Sequence, residues 1–146
     1  MKKILAVLLA LILVLGVTSA FADEMKKPIK VGVTIYQFND NFMTLYRTEL
    51  QKYLEETYGA SVTVVDGKND QTEQTNQINS FIAEGVDVLI VNLVQSTAAA
   101  AVTELAKEAG IPVIYINREP SEDDMGMWEG KICYVGADAR QSGTFQ

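Results

Sequence analysis

The sequence has no histidine and a single cysteine, Cys133. Without histidine, the side chain that most often serves as a general base or zinc ligand is gone. A lone cysteine cannot close a disulfide within the chain. Near Ile132 and Val135, Cys133 is expected to be a small buried strand residue rather than a reactive thiol. Clustered glycines are missing where a dinucleotide fold would place them: the first strand pattern ends in Tyr36-Gln37. Basic charge is scarce too, with 12 Lys and Arg against 19 Asp and Glu and a net charge of −7. That excess of acid argues against nucleic acid and anionic membrane surfaces, both of which demand basic patches. Nor does any apolar run reach the ~20 residues a bilayer helix needs.

The longest apolar run, Ile4 to Val17, follows Lys2 and Lys3 and precedes Ser19-Ala20-Phe21-Ala22. A positive start, a short apolar centre and a small-x-small end describe a secretory signal peptide, residues 1–22, cut before Asp23. The alternative, an uncleaved anchor, suffers from the shortness of the run. No cysteine follows the run closely, so a lipid anchor is not expected. With the two leader lysines removed, ten basic and 19 acidic residues remain, a net charge of −9. The mature chain is thus expected outside the cytoplasm, in the periplasm or at the cell exterior, with no stable membrane insertion.

Beyond the leader the chain alternates strand and helix patterns. Lys30–Tyr36, Ser61–Val65, Val86–Val94, Ile111–Ile116 and Ile132–Val135 read as strands. Pro112 must open its strand or lie on an edge. The third run is almost continuously apolar, as in parallel strands covered on both faces. Between them, the spacing of Phe42, Leu45, Tyr46, Leu50, Tyr53 and Leu54 predicts a helix to Tyr58, capped by Asp40 or Asn41 and ended by Gly59. A second helix, Gln71 to Glu84, follows Asp70 and turns Thr75, Ile78, Phe81 and Ile82 inward. A third starts at Ser96 or Thr97, buries Ala98, Ala101, Val102, Leu105 and Ala109, and ends at Gly110. An acidic loop spans Glu119 to Glu129, and Asp138 opens a further helix. The order implies an α/β domain: a Rossmann-like, doubly wound parallel sheet. Gln146 falls about two helical turns beyond Asp138, which suggests a fragment.

Ligands of such sheets sit outside the carboxyl ends of the strands. Three segments lie there: Tyr36 to Phe42, Asn92 to Gln95, and Asn117-Arg118-Glu119. The first packs an acid, two other amides besides Asn41, and aromatic rings into one turn. A sugar needs that mixture, because its C–H face stacks on a ring and its hydroxyls need fixed acceptors and donors. Asp40 could accept from two hydroxyls. Phe42 could supply the ring, and Asn117 both donates and accepts. Arg118 could bond a hydroxyl or orient a carboxylate. Tyr36 and Asn92 complete the candidate ligand set. Bland roles compete with each: Asp40 as a plain helix cap, Phe42 as a core residue of its helix, Asn92 and Asn117 as partners of turn backbone. Met125, Met127 and Trp128 read as surface packing. The acidic run Glu122-Asp123-Asp124 lacks the spacing of a calcium loop, and no metal is assigned to this chain.

The residues Val31-Gly32-Val33-Thr34-Ile35-Tyr36 and Asp40-Asn41-Phe42-Met43 resemble the start of the mature galactose/glucose-binding proteins of bacterial ABC transport. Lys68-Asn69-Asp70-Gln71 with Gln74 and Asn76-Gln77-Ile78 does so as well. So do Gly85-Val86 with Val91 to Val94, Pro112-Val113 with Asn117 to Pro120, and Tyr134-Val135-Gly136 with Asp138 and Ser142-Gly143. The resemblance covers nearly all of the mature chain. It implies the N-terminal lobe (residues 23–136) of a type I periplasmic-binding-protein fold, with residues 137–146 starting the crossover to a second lobe. It also implies that Asp40 and Asn117 bond sugar hydroxyls and that Phe42 stacks on the ring. Arg118 stands where the family commonly has lysine, and Gln95-Ser96 replaces an Asp-Pro turn. A monosaccharide, galactose or glucose, an ABC transporter permease and a chemoreceptor are the implied partners of a monomer. Calcium is implied only for the second lobe; no cofactor is expected in this chain. One lobe leaves a sugar half solvated, so the chain alone is expected to bind weakly or not at all. Two other readings exist. A repressor-type sugar sensor conflicts with the leader, and an exported enzyme conflicts with the missing histidines. Another monosaccharide such as ribose remains a competing ligand.

Overall fold

The computed structural model describes residues 27–137. The leader and the helix expected from Asp138 fall outside that range. The described chain runs β1 (Lys30–Ile35), α1 (Asn41–Tyr58), β2 (Ser61–Asp66), α2 (Gln71–Glu84), β3 (Val88–Val91), a 3-10 turn (Ser96–Ala98), α3 (Ala99–Ala109), β4 (Val113–Ile116), α4 (Glu122–Met125) and β5 (Ile132–Val135). All five strands are parallel, in the order β2-β1-β3-β4-β5. The expected sheet is therefore present. None of the described helices is long and apolar enough to cross a membrane.

Alternation along β1 assigns its two faces. Val31, Val33 and Ile35 pack with Met43 of α1, Ile90 and Ile116. Gly32 and Thr34 point to the other face, against α2. A Cβ built on Gly32 would lie 2.7 Å from the Phe81 ring, so only glycine lets that ring seat on β1. On this second face Ile78 and Phe81 of α2 and Val102 and Ala106 of α3 bury Leu89, Val91, Val113 and Tyr115. Tyr115 is fully buried and its hydroxyl donates to the Ala99 carbonyl at 3.0 Å, with Thr103 Oγ1 at 2.8 Å. Burial pushes the Tyr115 phenol up to about 12.

Three expectations need correction. Cys133 is exposed, not buried. Its partner in register is Ile114, on the α1 face, and α1 lies over the other end of the sheet, against β2. The inner stripe of α1 runs through Met43, Tyr46, Leu50 and Leu54, while Phe42, Leu45 and Tyr53 face outward and are exposed. The helix carries two adjacent apolar stripes, and periodicity alone merges them. Lastly, α3 buries Ala99, Val102, Thr103 and Ala106, a face rotated by about one residue from the expected one, with Thr103 held inside by its bond to the Tyr115 hydroxyl. The acidic loop also contains a helical turn, α4, fixed by a capping box between Ser121 and Asp124. Met125 and Trp128 beside it pack partly against the core.

The chain leaves β1 toward β2 on one side and returns with β3 on the other. The carboxyl ends of β1 and β3 thus flank the crevice where open α/β sheets take ligands.

Candidate functional site

Tyr36 follows β1 directly, and the loop to Asp40 carries the chain onto α1. Asp40 has extended backbone and its Oδ1 accepts from the Met43 amide at 2.7 Å, so it is the N-cap of α1. Its Oδ2 accepts from the Tyr36 hydroxyl at 2.7 Å. These bonds, the Met43 amide foremost and the Tyr36 hydroxyl next, hold the Asp40 carboxyl below its ordinary value, and the Arg118 charge adds to the effect. The same hydroxyl bond, made to an anion, raises the Tyr36 phenol. Asp40 is thus ionised at neutral pH and fixed at both oxygens. A carboxylate has about four lone-pair sites, so each Asp40 oxygen retains acceptor capacity toward a ligand.

Phe42 opens α1 on its outer side and is 63% exposed. Its ring stands 6.1 Å from Tyr46, tilted, so its environment leaves ring surface free for stacking. Asn117 ends β4 with φ 63, in the left-handed region. Asparagine is among the few side chains that tolerate this region. Its amide N–H donates to the Val135 carbonyl at 3.2 Å, and its own carbonyl accepts from the Tyr134 hydroxyl at 3.1 Å. The backbone is pinned while the side chain is exposed.

Beneath this rim lies a polar belt. Asn92 is fully buried. Its Oδ1 accepts from the Tyr36 amide at 3.4 Å and its Nδ2 donates to the Ile116 carbonyl at 3.2 Å, so one side chain ties the ends of β1 and β4 across β3. Gln74 of α2, also fully buried, donates to the Asn92 carbonyl at 2.9 Å and accepts from the Val94 amide at 2.9 Å. Thr34 donates to Gln77 Oε1 at 2.9 Å, and Gln77 donates to the Asp66 carbonyl at 2.6 Å. Every buried side-chain nitrogen and oxygen among the described residues has a partner.

The six expected ligand residues therefore separate. Asp40, Phe42 and Asn117 reach the surface at the strand ends. Asn92 does not; its buried amide is spent on backbone, which corrects its expected role from contact to support. Tyr36 is 9% exposed, with its hydroxyl given to Asp40, and is corrected in the same way. Arg118 is half-buried over the Tyr36 ring, 4.0 Å from guanidinium carbon to ring centroid. Gln74 and Thr34 were absent from the expected set. The signal for Gln74 is its helical phase, one turn before Ile78 and in line with it, where a polar residue must find buried partners.

Residues 31–146 match the family model described as a periplasmic binding protein domain. The chain belongs to this family. Among its relatives, a D-galactose/methyl-galactoside binding periplasmic protein of Haemophilus influenzae is 37% identical over 117 residues, 80% of this chain and 35% of that protein. A ribose import binding protein of Bacillus subtilis is 28% identical, over 84% of this chain and 43% of that protein. A solute binding protein of Bacillus halodurans, solved with myo-inositol, superposes with a TM-score of 0.70 at 30% identity, over 80% of this chain and 39% of that one. The chain spans less than half the length of each of these family members.

Proposed function

We propose that this chain is the N-terminal lobe of an exported solute-binding protein that captures galactose or glucose for an ABC transporter. The observation that carries the reading is Asp40: an ionised carboxylate, fixed at both oxygens, two residues before the exposed Phe42 ring and at the same end of the sheet as the exposed Asn117. Charge-assisted bonds from sugar hydroxyls to Asp40 would supply orientation, and stacking on Phe42 would supply apolar contact. The Haemophilus influenzae relative favours a galactose-type ligand. Closure of a second lobe over the first would desolvate the sugar and create the surface that a permease, and a chemoreceptor, would recognise. Calcium would belong to that second lobe, and the leader would direct the protein to the periplasm. Because the relatives named for ribose and myo-inositol use the same fold, another monosaccharide or a cyclitol is the competing ligand.

The test is a titration of the isotope-labelled chain with galactose, glucose, ribose and myo-inositol, followed by backbone NMR. Millimolar binding of a hexose, with shifts centred on Asp40, Phe42 and Asn117 and lost in Asp40→Ala, is the expected outcome. A response to ribose or myo-inositol alone moves the ligand class. Shifts elsewhere overturn the proposal, as does silence toward every compound once the second lobe is restored.

A further inference from the structure

We infer that Asp66 is a positioning residue for the candidate site: it fixes the loop that carries Asp40 by way of the Phe38 backbone. Its value to a ligand rests on the sugar reading above. Asp66 ends β2, and Ile35, its partner in register, ends β1. Beyond this last pair the two exits stay bound to each other. The Gly67 amide donates to the Ile35 carbonyl at 2.7 Å, and the Asn69 amide to the Tyr36 carbonyl at 2.6 Å. In return the Phe38 amide donates to Asp66 Oδ1 at 3.1 Å. The same oxygen accepts from the Lys68 amide at 2.9 Å, which folds the loop after β2 back on itself. One carboxylate oxygen thus holds both loops. The Asp66 carbonyl in turn accepts from Gln77 of α2, so the residue is itself anchored.

The close approach of the two loops has a conformational cost. Lys68 and Asn69 both lie in the left-handed region, with φ 53 and 56. Residues with a Cβ disfavour that region and keep it only where their neighbours over-determine it. Gly67 is buried between the loops, and a Cβ there would lie 2.9 Å from the Ile35 carbonyl oxygen and 3.2 Å from that of Tyr36. On the opposite side, the Phe38 carbonyl accepts from the Thr44 hydroxyl at 2.9 Å and from Arg47 Nη1 at 3.0 Å. The Arg47 guanidinium carbon also stands 3.7 Å from the centroid of the Phe38 ring. Phe38 is therefore held at its nitrogen by the β2 exit and at its carbonyl oxygen by α1. Two residues later comes Asp40, whose carboxylate the Met43 amide and the Tyr36 hydroxyl then orient.

NMR without any sugar, on the wild type, Asp66→Ala, Asp66→Asn and Arg47→Met, tests the role. The readouts are the side-chain couplings of Asp40 and hydrogen exchange at the Phe38 and Met43 amides. The Asp124 amide, which donates to Ser121 Oγ at the start of α4, is the control. The wild type should show a single Asp40 rotamer. In Asp66→Ala the couplings average and exchange at Phe38 and Met43 quickens about tenfold, the loss of one net hydrogen bond, with Asp124 unchanged. Asparagine keeps an acceptor oxygen, so Asp66→Asn retains the wild-type pattern. Arg47→Met leaves the β2 exit intact and loosens Asp40 in the same sense; it decides the matter should Asp66→Ala not fold. Asp40 couplings and a Met43 amide unmoved in Asp66→Ala, or in Arg47→Met where the first does not fold, overturn the positioning role. So does equal loosening at Asp124, the mark of general softening. An Asp66→Asn variant as loose as Asp66→Ala overturns the shared acceptor as the cause. In a second arm, galactose affinity falls about tenfold in Asp66→Ala and returns in Asp66→Asn. Affinity unchanged in Asp66→Ala, with its couplings averaged, overturns the value of the role to a ligand. Silence toward galactose in the wild type bears on the sugar reading alone, because the first arm needs no ligand.

Discussion

Two polar layers lie one above the other at the carboxyl ends of the strands, and they differ in what they have left to give. The lower belt, Thr34, Gln74 and Asn92, is fully buried and spent on neighbours. The upper rim, Asp40, Phe42 and Asn117, is braced by its neighbours yet presents unused acceptors, ring surface and an amide. A buried polar group must be satisfied internally or it costs stability, whereas an exposed one can wait for a ligand. Residue types alone cannot separate the layers, since asparagine occurs in both. Position relative to the sheet does.

The sharpest way to break this contrast is at Asn92. Asn92→Ala orphans the Tyr36 amide and the Ile116 carbonyl, and denaturant unfolding should show a loss of about 3 kcal/mol. A loss below half of that would mean water replaces the side chain and the belt is not sealed. Gly32→Ala comes next. It drives a methyl group into the Phe81 ring and should cost about 2 kcal/mol from overpacking. It tests whether α2 holds the belt as closely as the distances say. Tyr115→Phe, elsewhere in the core, removes a hydroxyl shared by Ala99 and Thr103 and should cost about 1 kcal/mol.

The rim should behave in the opposite way. Phe42→Ala should leave stability within about 0.5 kcal/mol, as exposed sites do, while abolishing the galactose response. If it unfolds the protein, the ring is structural and the contrast fails. The smallest expected effect is a pH dependence. The Asp40 carboxyl is lower in the folded chain than its ordinary 3.8, chiefly through the Met43 amide and the Tyr36 hydroxyl. A depressed carboxyl stabilises the fold above its unfolded value and loses that contribution as pH falls through the folded one. The melting-temperature gap between wild type and Asp40→Ala should therefore be steady at neutral pH. It should narrow below pH ~4, starting at the unfolded aspartate value. A gap that widens in acid would contradict the assignment.

Much of the architecture was legible because it rests on local signals. Strand runs, helix caps at Asp40 and Asp70, and stops at Gly59, Gly85 and Gly110 were all read from sequence and all occur. Phe42 and Leu45 were assigned to the core because two apolar stripes on α1 overlap in period. Cys133 was misplaced because strand character does not reveal whether a helix covers that end of the sheet. Gln74 was overlooked because a buried glutamine and a surface glutamine look alike until helical phase is set against a neighbouring sheet. At the site, Asp40, Phe42 and Asn117 stood out by their placement after strands. The supporting positions of Tyr36 and Asn92 depend on contacts between exits of different strands, which no local pattern encodes.

The central claim is that the rim at the ends of β1 and β4 takes the sugar. Intermolecular NOEs between galactose and the chain test it most directly. The account predicts contacts from the C–H face of the sugar to the Phe42 ring, with a weaker set to the Asn117 side-chain amide. Contacts to the outer stripe of α1 at Leu45 and Tyr53, without Phe42 and Asn117, would contradict it.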